Sequence, residues 1–373
     1  MKVVHLFKDY FPPTTGGIEQ HMALLCGGLA RAADVTVLVP SRSLRRREEV
    51  VGGVHVIRTP ELGRFFAAPI CPRMPAELRY LGPDIVHHHF PNPMGDLAYL
   101  LGGRKAALVV SYHADVIRQR RLLPLYRPLM NRLFARAQRV IASAPENVAS
   151  SSFLGRWKER VTIIPYGIDL KAFELKEGEA DEAARRRAVF GKPVVLFVGV
   201  LRPYKGLDVL MEAVARVPGI HLVLVGRGPE RLRLASQSAR LGLTNRVTFL
   251  GQVPDSERRI LLHACDVFVL PSIDNREAFG IAQIEAMACG RPVIATDLPT
   301  GVRSVNPHGL TGLLVPPGNV DALAAAIARL LSDERLRRTL GDAARQRAQL
   351  EFSAERMIRR TMQVYEEVLG GRG

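Results

Sequence analysis

The sequence predicts an α/β protein made of two doubly wound domains, on three observations. Short apolar runs of strand length alternate with amphipathic segments of helix length along the chain. A charged, strand-free stretch interrupts the alternation near the middle. With 373 residues, each half is long enough to bury a core of its own.

In the first half the strand-like runs are VVHLF (3–7), VTVLV (35–39), VHVI (54–57), DIVHH (84–88), ALVVSYH (107–113) and RVIAS (139–143). Amphipathic segments such as IEQHMALLCGGLARA (18–32) lie between them. Alternation of this kind builds βαβ units and a parallel sheet covered on both faces. Composition changes after residue 167, where GIDLKAFELKEGEADEAARRRAVFGK reads as an interdomain connection plus a surface helix.

A second series follows: VVLFVGVL (194–201), HLVLVG (221–226), VTFLG (247–251), DVFVLP (266–271), PVIAT (292–296) and GLLVP (312–316). Three helical stretches, VDALAAAIARLLS, DERLRRTLGDAARQRAQL and SAERMIRRTMQVYEEVL, close the chain. Ligands of open α/β sheets sit beyond the carboxyl ends of the strands. Two such domains are therefore expected to face each other across a cleft lined by those loops.

An apolar fraction of 47% with 24% charged residues is a globular composition. No apolar run approaches the roughly 18–20 residues that cross a bilayer, and the start MKVVHLFKDYFPP reads as a first strand, not a signal peptide. Cys26, Cys71, Cys265 and Cys289 have neither disulfide-framework nor zinc-ligand spacing. A reducing cytoplasm is expected. The net charge of +16 favours acidic partners: nucleic acid, anionic lipid or phosphorylated small molecules.

PTTGGIEQH (13–21) follows the first strand and opens the first helix. Gly16 and Gly17 there offer backbone N–H groups to a phosphate at a helix N-terminus; a tight turn explains the pair equally well. In VGVLRPYKGLDVLMEA (198–213), Arg202 and Lys205 stand three apart at the entrance to a helix. Cations there oppose the helix dipole at roughly 0.3–1 kcal/mol each, so a bound di-anion is expected to compensate them.

EAFGIAQIEAMACGRPVIAT (277–296) places Glu277 in a loop and Glu285 about one turn into a short apolar helix that ends at Gly290. Phe279, Gly280 and Ile281 set consecutive N–H groups at the helix start, where an anion or sugar hydroxyls are held. A buried glutamate needs a partner, and ribose hydroxyls provide one in dinucleotide folds.

These elements together resemble the retaining GT-B glycosyltransferases of family 4. The matching stretches are GGIE (16–19), DIVHHHFP (84–91), SYHAD (111–115), PYGID (165–169), GVLRPYKGLDVL (199–210), VGRGPE (225–230), the E-x7-E of Glu277 and Glu285, and ACGRPVIATD (288–297). The resemblance implies a GT-B fold with an acceptor-binding domain over 1–170, a nucleotide-sugar-binding domain over 171–353, and a C-terminal helix (about 354–373) returning to the first domain. By position, Arg202 and Lys205 would neutralise the donor diphosphate, and Glu285 would bind the ribose. Glu277 and the Phe279–Ile281 backbone would meet the transferred sugar and phosphate, with Gly17 donating to the β-phosphate. His113 matches the family's catalytic-cleft histidine. Tyr166 stands where the family often has Asn, and no role is assigned to it.

No D-x-D occurs in the chain, so a metal-independent reaction without a cofactor is expected. His87, His88 and His89 alternate in direction along a strand, so a strand-end role is expected for them, not a shared metal ion. The resemblance is to bacterial cell-surface mannosyl- and rhamnosyltransferases, with GDP-mannose as the first donor and UDP- or dTDP-sugars as the alternative. A glycan or lipid-linked acceptor is implied.

The basic segment 118–139, RQRRLLPLYRPLMNRLFARAQR, fits an anionic membrane surface, and equally an apolar face packed on the sheet. The expected location is cytoplasmic, extending to the inner face of the membrane. A phosphorylase or epimerase of the same fold is disfavoured by R-x-x-K with E-x7-E. A nucleic-acid binder is disfavoured by the absence of any recognition motif.

Overall fold

A computed structural model describes residues 1–13, 16–66, 68–115 and 123–371. The chain divides into two compact units, Met1–Gly167 with Ala354–Gly373, and Ile168–Ser353.

The first unit is built on β1 (Lys2–Leu6), β2 (Asp34–Pro40), β3 (Arg47–Val51), β4 (Val54–Thr59), the two-residue pair β5 (Arg64–Phe65) and β6 (Ala68–Pro69), β7 (Ile85–Phe90), β8 (Ala107–Tyr112), β9 (Arg139–Ala142) and β10 (Val161–Ile163). Eight of these form one sheet in the order β10-β9-β8-β7-β1-β2-β4-β3. Its strands are parallel except for β3 on β4. Every expected strand is present. β3, β5, β6 and β10 are additional, and β3 shows why such edges escape a hydrophobic pattern. Its sequence REEVV is almost wholly exposed, as suits an edge that charge protects from pairing.

Successive residues of the central strands point to opposite faces. Val4, Leu6, Val86, Leu108 and Phe134 fill one core layer. Val3, Val37, Ile85, Val109 and Tyr365 fill the other. Tyr365 comes from the C-terminal helix Ala354–Gly370, which covers this second face together with the helix Gly17–Leu29. His87, His88 and His89 are not at a strand end: they lie within β7, and each is fully buried.

Of the basic segment, residues 118–122 lie outside the described residues. The helix Leu123–Arg136 buries Met130, Leu133 and Phe134 in the first core layer and leaves Leu125 exposed. The packed-face reading therefore holds for its second half.

The second unit contains β11 (Val194–Val198), β12 (His221–Val225), β13 (Val247–Gly251), β14 (Val267–Leu270), β15 (Val293–Thr296) and β16 (Gly312–Val315). All six are parallel, in the order β13-β12-β11-β14-β15-β16. The chain thus winds outward in both directions from the β11–β14 neighbours, and the strand order reverses between them. A crevice opens at such a reversal because the loops leaving the two strands run to opposite faces of the sheet. The four cysteines are buried free thiols. Among the described residues, no helix is long and apolar enough to cross a membrane.

Candidate functional site

The loops after β11 and β14 carry the second unit's expected site residues. Arg202 leads a single 3₁₀ turn, Pro203–Lys205, and the helix Leu207–Arg216 starts only after Gly206. Gly206 has φ +63°, and a Cβ there would lie 2.1 Å from the Pro271 carbonyl oxygen. A left-handed residue without a side chain is therefore what lets the two loops touch. The Ile273 N–H donates to the Tyr204 carbonyl at 2.8 Å across that contact.

The contact brings Lys205 against Glu277. The Lys205 ammonium donates to a Glu277 carboxylate oxygen, and the Ser272 hydroxyl donates to the same oxygen at 2.8 Å. Both charged residues are buried. Burial alone would lower the Lys205 pKa; the Glu277 charge and hydrogen bond outweigh it and hold the amine above its usual value. The cation expected to need a bound di-anion thus already has a partner in Glu277.

Arg202 is different. Its side chain is exposed and makes no ion pair among the described residues. Tyr204 lies between the two loops, with the Arg276 guanidinium 5.0 Å and the Lys205 amine 5.3 Å from its ring centre. Arg276 is in turn held by Asp274.

Gly280 caps the helix Ile281–Ala288 with φ +75°. Gly280 and Ile281 belong to the helix start, where N–H groups have no carbonyl one turn back. Phe279 turns its ring into the interior, edge-on to Phe352 at 6.1 Å. Any contact it makes with a ligand is therefore through its backbone.

Glu285 is buried in the body of this helix, 3.4 Å from the Arg258 guanidinium. Desolvation raises its pKa, and Arg258 offsets part of that rise. Arg258, Ser272, Tyr204 and Arg276 were not singled out from the sequence. Only tertiary contact connects them to the glutamates, and no motif spacing announces it.

In the first unit, Gly16 is the N-cap of the helix Gly17–Leu29. A Cβ on Gly16 would meet a Glu19 carboxylate oxygen at 2.0 Å, so Glu19 folds back over the helix start. The Glu19 carboxyl thus already occupies the space beside Gly16. Thr14 and Thr15 lie outside the described residues.

His113 follows β8 and is buried, with both ring nitrogens engaged. Nδ1 is 2.6 Å from the Tyr166 hydroxyl, and Nε2 is 2.9 Å from His89 Nδ1. Tyr166, to which the sequence assigns no role, thus engages Nδ1 of His113. His5, His87 and His89 bring ligand nitrogens within 4.8 Å of one another, which makes them the one candidate metal cluster among the described residues. Strand alternation puts His87 and His89 on the same face, and β1–β7 register sets His5 beside His87. His88 points the other way, 2.7 Å from the buried Asp96.

Residues 15–172 match the Glycosyltransferase Family 4 model, and residues 180–347 match the model described as Glycosyl transferases group 1. The O-antigen chain mannosyltransferase C of Escherichia coli is 33% identical, with 99% of each chain covered. The D-rhamnosyltransferase WbpZ of Pseudomonas aeruginosa is 37% identical over 95% of this chain and 93% of its own. Among solved structures, a sucrose-phosphate synthase from Thermosynechococcus elongatus superposes with a TM-score of 0.83 at 27% identity, covering 99% of both chains. Two Rossmann-like units, a charged crevice where the strand order of the second reverses, and full-length relatives lead to one conclusion: the chain belongs to the family 4 glycosyltransferases of GT-B fold and is a hexosyltransferase.

Proposed function

We propose that the enzyme transfers mannose from GDP-mannose, with retention of configuration and without a metal, to a glycan or lipid-linked acceptor. The observation that carries this reading is the Lys205–Glu277 pair at the β11–β14 reversal, flanked by the exposed Arg202. The leaving diphosphate gains negative charge as the glycosidic bond breaks, and fixed cations stabilise that charge without reorganising. Arg202 is available to the diphosphate outright. Lys205 shares its proton donors between Glu277 and the incoming phosphate, while Glu277 is freed in part to accept from a sugar hydroxyl. Glu285, one turn into the next helix, is the ribose partner.

The names of the two relatives support the sugar class. D-rhamnose is 6-deoxymannose, so both names describe the manno configuration. On that shared configuration we propose GDP-mannose ahead of UDP- and dTDP-sugars, with GDP-D-rhamnose as the nearest competitor. The O-antigen relative supports a glycan acceptor. An anionic membrane surface remains the partner we propose for the 118–139 segment, since Leu125 and Arg127 are exposed on the first turns of the helix Leu123–Arg136. This fits a cytoplasmic enzyme resting on the inner face of the membrane, and failure to bind anionic vesicles at low salt contradicts it.

Retention is proposed to follow a same-face path in which the leaving phosphate takes the acceptor proton; a trapped covalent glycosyl–enzyme adduct contradicts that path. The donor test is a thermal-shift panel of GDP, UDP, ADP and dTDP in EDTA. A ligand at 100 times its Kd stabilises by about 2.7 kcal/mol. GDP is expected to give the largest shift, and a larger shift with another nucleotide contradicts the donor assignment.

A further inference from the structure

Six hydrogen bonds join seven side chains inside the first unit. From Tyr166 the path runs to His113 Nδ1 at 2.6 Å, from His113 Nε2 to His89 Nδ1 at 2.9 Å, and from His89 Nε2 to His5 Nδ1 at 3.0 Å. His5 Nε2 lies 3.3 Å from the Tyr365 hydroxyl, which also bonds His87 Nδ1, and His87 Nε2 lies 2.7 Å from the Ser111 hydroxyl. All seven side chains are buried. Each histidine enters the path through one ring nitrogen and leaves through the other.

That pattern has a strict consequence. A neutral imidazole carries one donor and one acceptor nitrogen. If Tyr166 donates to His113, every later link must run in the same sense, and all four histidines carry their proton on Nε2. If Ser111 donates to His87, every link reverses, and all four carry it on Nδ1. A mixed state either sets two donors or two acceptors face to face or, where His5 and His87 both donate to Tyr365, leaves its buried hydroxyl hydrogen without an acceptor in the path.

Ser111 and Tyr166 come back together, and the Tyr166 hydroxyl also hydrogen-bonds Ser143. Ser111, His113 and Tyr166 line one small cavity with His21 and Ser143, with room for about one water-sized sphere. His21 Nδ1 is buried without a partner there. A buried water makes two to four hydrogen bonds to such groups, and these side chains offer that number.

We infer that one ordered water occupies this cavity and closes the path into a ring, so that His5, His87, His89 and His113 share a single tautomer and exchange it only together. Tyr365 of the C-terminal helix is then a positioning residue for His113, acting through His5 and His89. Burial keeps these histidines neutral at pH 7, as the ring requires.

The competing occupant is a metal ion on His5, His87 and His89. Their six ring nitrogens are all used in the path, so a cation would have to break links of it, and no carboxylate approaches the cluster among the described residues. The consequence for turnover rests on the glycosyltransferase reading; the tautomer prediction does not.

The test is a long-range ¹H–¹⁵N correlation spectrum of the full chain with ¹⁵N-labelled histidine at pH 7.5. Assignment uses single His→Gln variants, and metal content is measured on the same sample. Four neutral histidines of one tautomer, with one water in the cavity of a high-resolution crystal structure, are expected. Tyr365→Phe should then shift the His113 ring resonances although the two residues do not touch, and lower kcat with KM held. Mixed tautomers, an empty cavity, or one equivalent of bound metal overturns the inference. Loss of activity in Tyr365→Phe with His113 resonances unmoved overturns the positioning role alone. A chain inactive with every donor but showing one common tautomer overturns the proposed donor reaction and leaves the ring standing.

Discussion

The Lys205 ammonium and the Glu277 carboxylate are hydrogen-bonded to each other across 72 residues of sequence. The link exists because Gly206 lets the loop after β11 lie against the loop after β14, at the place where the sheet reverses its strand order. A buried cation and a buried anion thus wait at one point, each able to exchange part of its mutual attraction for a ligand. Removing either one leaves the other uncompensated.

Lys205→Ala is expected to lower kcat by about 10²–10³, the typical effect of losing one group that stabilises transition-state charge. It also strands the Glu277 carboxylate, and breaking a buried pair costs roughly 3–5 kcal/mol. Steady-state kinetics and urea unfolding on the same preparation separate the two effects. Arg202→Ala should lower kcat comparably while leaving the unfolding midpoint unchanged, because Arg202 is exposed and makes no ion pair among the described residues.

Glu285→Ala should weaken nucleoside diphosphate binding by about 10–100-fold, the equivalent of one lost buried hydrogen-bond partner at about 1–3 kcal/mol. Comparison with the 2′-deoxynucleotide gives the assignment its edge. The wild type should bind the deoxy form more weakly, and the variant should bind the two alike. Calorimetric titration reads both.

Gly206→Ala should destabilise the second unit by at least about 2 kcal/mol. The left-handed backbone costs roughly 1–2 kcal/mol for a residue with a Cβ, and the new methyl meets the Pro271 carbonyl. Thermal unfolding measures the loss. An active variant with an unchanged melting point would contradict the role given to the loop contact.

Stability should fall on acidification below neutrality. Burial lowers the pKa of His5 to about 3 and of His21 to about 4, and holds His87, His89 and His113 well below the ordinary histidine value of 6.5. The unfolded chain therefore binds more protons than the folded one below pH 6.5. Stability contributed by these groups is complete above that pH and is lost progressively down to their folded values. At pH 5 the loss is about 2 kcal/mol for each such histidine. Glu19 and Glu285, raised by burial, act in the opposite sense. Urea unfolding at pH 8, 7, 6 and 5 should show a plateau followed by a decline.

The buried parallel strands were legible because their apolar runs are continuous, as HLVLV and VFVL show. REEVV of β3 was not, since an edge strand exposed to solvent has no apolar face to display. In the site, E-x7-E and R-x-x-K marked the right loops, but not that Lys205 and Glu277 pair directly. That depends on a positive φ at Gly206 and on the order of strands in the sheet. Alternation along HHH separated His88 from its neighbours correctly. The partners of His87 and His89 lie on β1 and on the C-terminal helix, so the network among them became readable only once β1 was placed beside β7 and Tyr365 beneath both.

The most direct test of the central claim is calorimetric titration of GDP into the wild-type chain and into Lys205→Ala and Glu285→Ala, all in EDTA. One saturable site in the wild type, weakened at least about tenfold in each folded variant, is the predicted result. No binding of any nucleoside diphosphate by the wild type, or binding that neither substitution alters, would contradict a donor site at the β11–β14 reversal.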